Sequence, residues 1–281
     1  MGIIKNHVTL NNGVKIPSLG FGTYTIENGY PIINSVHEAL KVGYRHIDTA
    51  SFYNNEEGVG TAIKESGISR EEIFLVSKVW NSDQGYDKTL KAFETSIKKL
   101  GTDYLDLYLI HWPHHLHKET WNALQKLYKE KFIRAIGVSN FSINHLKELI
   151  KTAEIPPMVN QIEFHPMLIQ QDLINFCQSH KIQLEAWSPL MRGNVFKIPL
   201  LQELALDYKK SISQIVLRWD LQMGFISIPK STNPIRIKEN ANIFDFEISN
   251  EDMDKISSLN KNLRIGSNPD KVYQNPNTLK G

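Results

Sequence analysis

Residues 104–112 read YLDLYLIHW. A short apolar run of this kind has the pattern of a strand buried on both faces, here ending at His111. Six more runs stop in the same way at a polar residue that can do chemistry. They are HIDT with Asp48, LVSKVW with Lys78, AIGVSN with Ser139 and Asn140, VNQIEF with Gln161, LEAWSP with Trp187 and Ser188, and ISIPKS with Lys230 and Ser231. If successive strands run parallel around a barrel, their ends gather on one rim, and seven distant pieces build one site.

The stretches between these runs have helical spacing. PIINSVHEALKVG stops at Gly43, NEEGVGTAIKESG at Gly67 and DKTLKAFETSIKKLG at Gly101. KETWNALQKLYKE, SINHLKELIKTA (with Ser142 as N-cap), QDLINFCQSH, LLQELALDYKK, SISQIVLRWDLQ and NPIRIKENANIF follow the same pattern. With SLGFGT near the start there are eight strand runs, mostly with a helix between neighbours. Such alternation implies parallel strands joined by crossover helices. It fits a (β/α)8 barrel and also an open doubly wound sheet, and periodicity alone leaves both open.

Outside this alternation, HVTL and VKIP flank Asn11-Asn12-Gly13 and predict a hairpin, one able to cap the open bottom of a barrel. SNEDMDKISSL predicts an extra helix near the C-terminus, started by Ser249 and Asp252. The tail from Asn262 to Gly281 reads as a loop that lies over something or frays. With no linker in sight, residues 1–281 read as one barrel domain.

The 281 residues are 41% hydrophobic and 22% charged, with a net charge of +2. That balance points away from nucleic acid and from anionic membranes as partners. The one cysteine, Cys177, lies in the apolar stripe of DLINFCQSH and reads as a packed thiol; a chain without an internal disulfide suits a reducing cytoplasm. MGIIKNHVTLNNGVKIP lacks the apolar core of a signal peptide, and Asn6 breaks the myristoylation pattern that Met1-Gly2 begins. Nothing demands more than a monomer.

A Rossmann site needs a three-glycine fingerprint. Gly20-Phe-Gly22 and Gly58-Val-Gly60 each lack the third glycine, with Thr25 and Ile63 in its place. The segment KSTNPIRIKEN offers another nucleotide hold, with Lys230, Ser231 and Arg236 at the start of a short helix. A solvated basic surface helix reads equally well there. His114, His115 and His117, followed by Glu119, fit no ligand spacing, so no metal is expected.

The phrases GYRHIDTASFYNNEEGVG, SKVW, DYLDLYLIHWP, IGVSNF, VNQIEFHP, AWSPL and IPKSTNPIRIKEN occur in this order. On them the chain resembles the aldo-keto reductases along nearly its whole length, most of all the bacterial glyoxal/methylglyoxal reductases and the 2,5-diketogluconate reductases. The resemblance implies a (β/α)8 TIM barrel that binds NADPH without a Rossmann fold. It implies a catalytic tetrad of Asp48, Tyr53, Lys78 and His111, acting on a small-molecule carbonyl. Tyr53 would donate the proton, Lys78 would lower its pKa, Asp48 would keep Lys78 charged, and His111 would orient the carbonyl oxygen.

The same resemblance places Ser139, Asn140 and Gln161 on the nicotinamide amide. Trp187, where tyrosine is more usual, would stack on the ring. Ser188 and Leu190 fall to the pyrophosphate, Lys230, Ser231 and Arg236 to the 2′-phosphate, and Glu239 and Asn240 to the adenine. Tyr24, Trp80 and Trp112, with His111, would line the pocket mouth. The short WPHHLHKE loop suggests an open site for small dicarbonyls and aldehydes. A diketogluconate-type ketone reductase, a Schiff-base aldolase using Lys78 and a nucleotide-sensing subunit without catalysis are the competing readings.

Overall fold

The computed structural model describes residue 4 and residues 6–279. The Met1-Gly2 start and the last two residues of the tail lie outside them. The hairpin comes first, with β1 (His7–Thr9) antiparallel to β2 (Lys15–Pro17) around a left-handed Gly13. The alternation follows as β3 (Phe21–Gly22), α1 (Tyr30–Val42), β4 (His46–Asp48), α2 (Glu56–Glu65), β5 (Phe74–Val79), α3 (Tyr86–Leu100), β6 (Leu105–Ile110) and α4 (His117–Lys129). It continues through β7 (Ile133–Ser139), α5 (Ile143–Ile150), β8 (Val159–Glu163), α6 (Gln171–Ser179) and β9 (Gln183–Trp187). After a kinked 3-10 segment over Met191–Lys197 come α7 (Pro199–Asp207), α8 (Ile212–Gln222), β10 (Ile226–Ser227), α9 (Pro234–Ala241), α10 (Asn250–Ser257) and α11 (Pro269–Gln274).

Strands β3 to β10 form one sheet in chain order, every pair parallel. The sheet closes on itself. The Gly20 and Gly22 amides donate to Ser227 O and Pro229 O at 2.9 and 3.1 Å, and the Ser227 amide donates to Ser18 O at 3.0 Å. These bonds decide between the barrel and the open sheet in favour of the barrel. Every residue of β5 and β6 is buried, which is why both read as mostly apolar runs, with Ser77, Lys78 and Asp106 as their polar members.

The hairpin caps the bottom. Asn11 Nδ2 donates to Pro157 O and Lys181 O, and Asn12 Nδ2 donates to Arg134 O. Those carbonyls lie at the entrances to β8, β9 and β7, the end of the barrel opposite the polar strand ends. The helix signals hold at their caps. Ser142 and Ser211 start α5 and α8 with capping boxes, and the Ser249 side chain accepts from the Asp252 amide. Cys177 is fully buried and its thiol is pushed up to about 12 by burial, as a packed thiol should be.

The tail departs from its loop reading, because it contains α11 and a 3-10 turn over Pro276–Thr278. Asn268 caps that helix by accepting from the Asp270 and Lys271 amides, and Val272 is buried beneath it. Six residues with two buried positions, Pro269 and Val272, carry too little periodicity to be seen in sequence. Among the described residues no helix is long and apolar enough to cross a membrane.

The glycines of Gly58-Val-Gly60 are packing residues. A Cβ on Gly58 would sit 2.2 Å from Ile32 Cγ2 of α1, and one on Gly60 would sit 2.5 Å from Leu100 O at the end of α3. Both are ordinary helical positions, so the restraint is contact between helices rather than backbone strain. Leu100 O is backbone and cannot rotate away. Gly60→Ala is therefore expected to cost about 2 kcal/mol by overpacking and to lower Tm by ~5 °C in a thermal melt. An unchanged melt would show that α2 and α3 can part without penalty.

Candidate active site

Lys78 near the end of β5 is completely buried, and so is Asp48 at the end of β4. An isolated ammonium there would be strongly disfavoured. Its three protons instead meet three acceptors. Lys78 Nζ lies 2.6 Å from Asp48 Oδ1, 2.9 Å from Thr49 O and 3.4 Å from the Tyr53 hydroxyl oxygen. Because the Tyr53 oxygen accepts from Lys78, its own proton is left to donate elsewhere.

Tyr53 sits in a 3-10 turn, Ser51–Tyr53, directly after β4. The fully buried Asn55 pins that loop. Its Oδ1 accepts from Thr49 Oγ1 and its Nδ2 donates to Thr23 O and Ile26 O. In sequence Asn55 looks like surface, within NNEE, so nothing there marks it as a support.

The expected lowering of the Tyr53 pKa does not hold in this structure. Burial raises it well above 10, and the charge on Asp48 adds to the rise. The Lys78 charge is largely cancelled by Asp48 at 2.6 Å, so little remains to favour a phenolate. Tyr53 thus keeps its proton throughout the neutral range. His111, one residue past β6, is 6% exposed, and its pKa falls well below 6.5 through burial and then the Lys78 charge. It is a neutral imidazole, able to donate one hydrogen bond.

Aromatic rings surround this pair. The ring centroids of Tyr53 and Trp80 lie 5.5 and 5.0 Å from that of His111, and Tyr24 lies 5.0 Å from Tyr53. Phe52 stacks on Trp80 at 3.8 Å and stays 39% exposed. It belongs to the mouth although the sequence reading passed over it; a large apolar side chain in the loop beside Tyr53 was the available signal. Trp112, expected at the same mouth, is only 7% exposed and makes no ring contact with this group among the described residues.

The later strand ends form a second cluster. Ser139 Oγ donates to Gln161 O, and Asn140 Nδ2 donates to Ser139 Oγ and to His111 O. Trp187 Nε1 donates to Asn140 Oδ1 at 2.9 Å, a bond for which tyrosine has no N–H. Asn140 and Ser188 both hold left-handed backbone, φ 65° and 51°, and strain of this kind concentrates at binding sites. Gln161 Nε2 donates to Asp48 Oδ2 and Glu185 Oε2, both at 2.8 Å, which leaves its Oε1 for an outside donor. Neither Glu185 nor its role was seen in sequence.

The tail reaches this cluster. Glu163 at the end of β8 accepts from the Ile265 and Gly266 amides. That draws Gly266 so close to Trp187 that a Cβ would lie 2.4 Å from Cη2 of the indole. The tail therefore lies over the edge of Trp187.

Farther along the rim, Lys230 and Arg236 are exposed, Leu190 and Glu239 partly so, and Ser231 and Asn240 nearly buried. The Asn233 side chain accepts from the Ile235 and Arg236 amides. The first amides of α9 are thus already bonded, and a phosphate there must rely on side chains. His117 Nδ1 donates to His114 O at 2.6 Å, and no group of three His, Cys, Asp or Glu side chains suited to a metal occurs among the described residues.

The arrangement offers a protonated phenol and a neutral imidazole facing one mouth, an indole face, a spare amide oxygen and a basic patch. Comparison with known proteins agrees with it. Residues 18–261 match the aldo/keto reductase family. The chain is 58% identical to the glyoxal reductase of Bacillus subtilis, over 96% of this chain and 98% of that one. It is 43% identical to the methylglyoxal reductase DkgA of Salmonella typhimurium, over 94% and 96%. An aldo-keto reductase of Bombyx mori, solved in complex with NADP, superposes with a TM-score of 0.89 at 38% identity, over 95% of this chain and 97% of that one. The chain belongs to the aldo/keto reductase family.

Proposed function

We propose that this protein is an NADPH-dependent reductase of aldehydes and 2-oxoaldehydes, of the glyoxal and methylglyoxal type. The observation that carries the reading is the coordination of Lys78. The ammonium is saturated by Asp48, Thr49 O and the Tyr53 oxygen, so the phenol proton is free and held close to the mouth.

When bound, the nicotinamide supplies the hydride to the carbonyl carbon. Tyr53 gives its proton to the carbonyl oxygen as charge develops there. Lys78, donating to the phenol oxygen, stabilises the negative charge left behind. His111 donates a hydrogen bond to the same carbonyl oxygen and sets the face presented. Tyr24, Phe52 and Trp80 exclude water from one side of the site.

The residues present fit the cofactor. The Gln161 Oε1 left over by Asp48 and Glu185 suits a carboxamide N–H. Trp187, fixed by Asn140 and covered by Gly266, offers a ring to stack on. Ser139 and Asn140 would hold the carboxamide beside it, and Ser188, in left-handed backbone, and Leu190 would contact the pyrophosphate through backbone groups. Lys230, Ser231 and Arg236 provide the 2′-phosphate hold, with Glu239 and Asn240 at the adenine. A single hydrophobic core from Ile4 to Ile256 supports reading the chain as one barrel domain. The balanced charge and lone packed cysteine support a cytoplasmic monomer without nucleic-acid or membrane partners.

Tyr53→Phe removes the proton while keeping the ring. It is expected to lower kcat for methylglyoxal by ~10²–10⁴, with quenching of tryptophan fluorescence by NADPH retained. Turnover equal to the wild type would sink the mechanism.

Cofactor choice is tested at the basic patch. Lys230→Ala and Arg236→Ala should each raise KM for NADPH about tenfold through loss of a charge-assisted contact, leaving KM for NADH unchanged. A wild-type enzyme that prefers NADH with glyoxal, methylglyoxal, a diketogluconate and an aromatic aldehyde alike would overturn the phosphate assignment.

A further inference from the structure

Beneath the Lys78 cluster lies a second buried polar pair that the reduction as described does not use. His46 in β4 and Glu185 in β9 are both fully buried, and His46 Nε2 lies 3.4 Å from Glu185 Oε1. The other ring nitrogen, Nδ1, lies 3.3 Å from Pro17 O. A carbonyl only accepts, so Nδ1 carries a proton. Nε2 and Glu185 Oε1 can then bond only if one more proton lies between them.

Space for the ring is built in, because a Cβ on Gly20 would sit 2.6 Å from His46 Nδ1. The other Glu185 oxygen accepts from Gln161 Nε2 at 2.8 Å, and the same amide nitrogen donates to Asp48 Oδ2. Hydrogen bonds therefore run from Glu185 through Gln161 to Asp48 and Lys78, with the His46 ring packed against Glu185, all within the barrel.

We propose that Glu185 is a positioning residue for the reduction: it locks the Gln161 amide with Oε1 toward the nicotinamide and, through Gln161, fixes the Asp48 carboxylate that holds Lys78. The inference rests on the proposed roles of Asp48, Lys78 and Gln161. Without the Glu185 acceptor, one amide proton of Gln161 has no partner and the amide is free to turn over. Without the shared proton, a second carboxylate charge stands beside Asp48.

The facing groups place that proton. His46 and Asp48 face Glu185 from β4, Lys78 from β5, the neutral Gln161 from β8 and Tyr53 from the loop after β4, while Asp106 acts on His46 from β6. Burial, then the Asp48 charge, pushes the Glu185 carboxyl up to about 8, against the opposing pull of the Gln161 bond and Lys78. Burial lowers His46 to about 4 despite Asp48, Pro17 O and Asp106. The proton therefore sits on Glu185 below about pH 8, and Glu185 becomes an anion above it.

Two variants separate the outcomes. Glu185→Gln keeps an acceptor for Gln161 and a donor for His46, and cannot ionise; Glu185→Leu keeps neither. Both are compared with the wild type using NADPH and methylglyoxal from about pH 6 to pH 9.5, with circular dichroism confirming the fold. NADPH binding is read in parallel by fluorescence quenching.

The wild-type kcat is expected to fall as pH rises through about 8, with Glu185→Gln staying level there and within about threefold of wild type at pH 7. Glu185→Leu is expected to lose about tenfold in kcat and to bind NADPH more weakly, the effect of an unpaired buried amide proton. Matching alkaline limbs in wild type and Glu185→Gln would overturn the proposal, as would wild-type kcat and NADPH affinity in a folded Glu185→Leu. If the wild type fails to reduce methylglyoxal, the proposed substrate falls. The NADPH affinities across the same pH range then judge Glu185, since its effect on Gln161 needs no carbonyl.

Discussion

A lysine ammonium buried inside a barrel is the demand around which the rest is arranged. Removing one partner of such a pair typically costs about 3–5 kcal/mol, because the remaining charge is left uncompensated. Lys78 is met by Asp48 from the neighbouring strand, by the Thr49 carbonyl and by the Tyr53 oxygen. Parallel register brings these groups together, since Asp48 pairs with Val76 and Lys78 stands two residues farther along the same strand. The loop after β4 must then turn back over the strand end, and Asn55 holds it there. A charge that must be satisfied thus places the phenol that the proposed reaction needs.

The second half of the rim follows a different logic. Its side chains bond mainly to one another, from Ser139 through Asn140 to Trp187, and two turns there adopt left-handed backbone without glycine. Tryptophan at position 187 fits this arrangement because its N–H reaches Asn140, and the tail then closes over its edge at Gly266. Rigidity is the shared consequence. A flat ligand meets a surface whose shape is already fixed, which lowers the ordering cost of binding.

The eight strands were visible because burial on both faces keeps most of each run apolar, so that the polar residues at its end stand out. Closure was hidden, since the bonds from Ser18, Gly20 and Gly22 to Ser227 and Pro229 span most of the chain, and β3 and β10 have only two residues each. Among the candidate site residues, those at strand ends were legible by position, and their roles only through the family resemblance. His46 and Glu185 were not, because each sits inside a strand and a single polar residue there carries no periodic signal. The direction of the Tyr53 shift was misread for a related reason. A neighbouring cation lowers a phenol only if nothing cancels it, and how closely Asp48 approaches Lys78 is a property of the fold.

The pair Gly20-Phe-Gly22 failed as a nucleotide motif, yet both glycines are required by what surrounds them. Gly20 leaves room for the His46 ring, and a Cβ on Gly22 would meet Ile228 O at 2.8 Å across the seam where the barrel closes. The seam and the buried polar pair therefore depend on two glycines, two residues apart, at the entry to and end of β3. A side chain at Gly20 would push His46 away from Glu185, and a side chain at Gly22 would part β3 from β10. Barrel closure and the orientation of Gln161 are in this sense one packing problem, solved by the absence of side chains at Gly20 and Gly22.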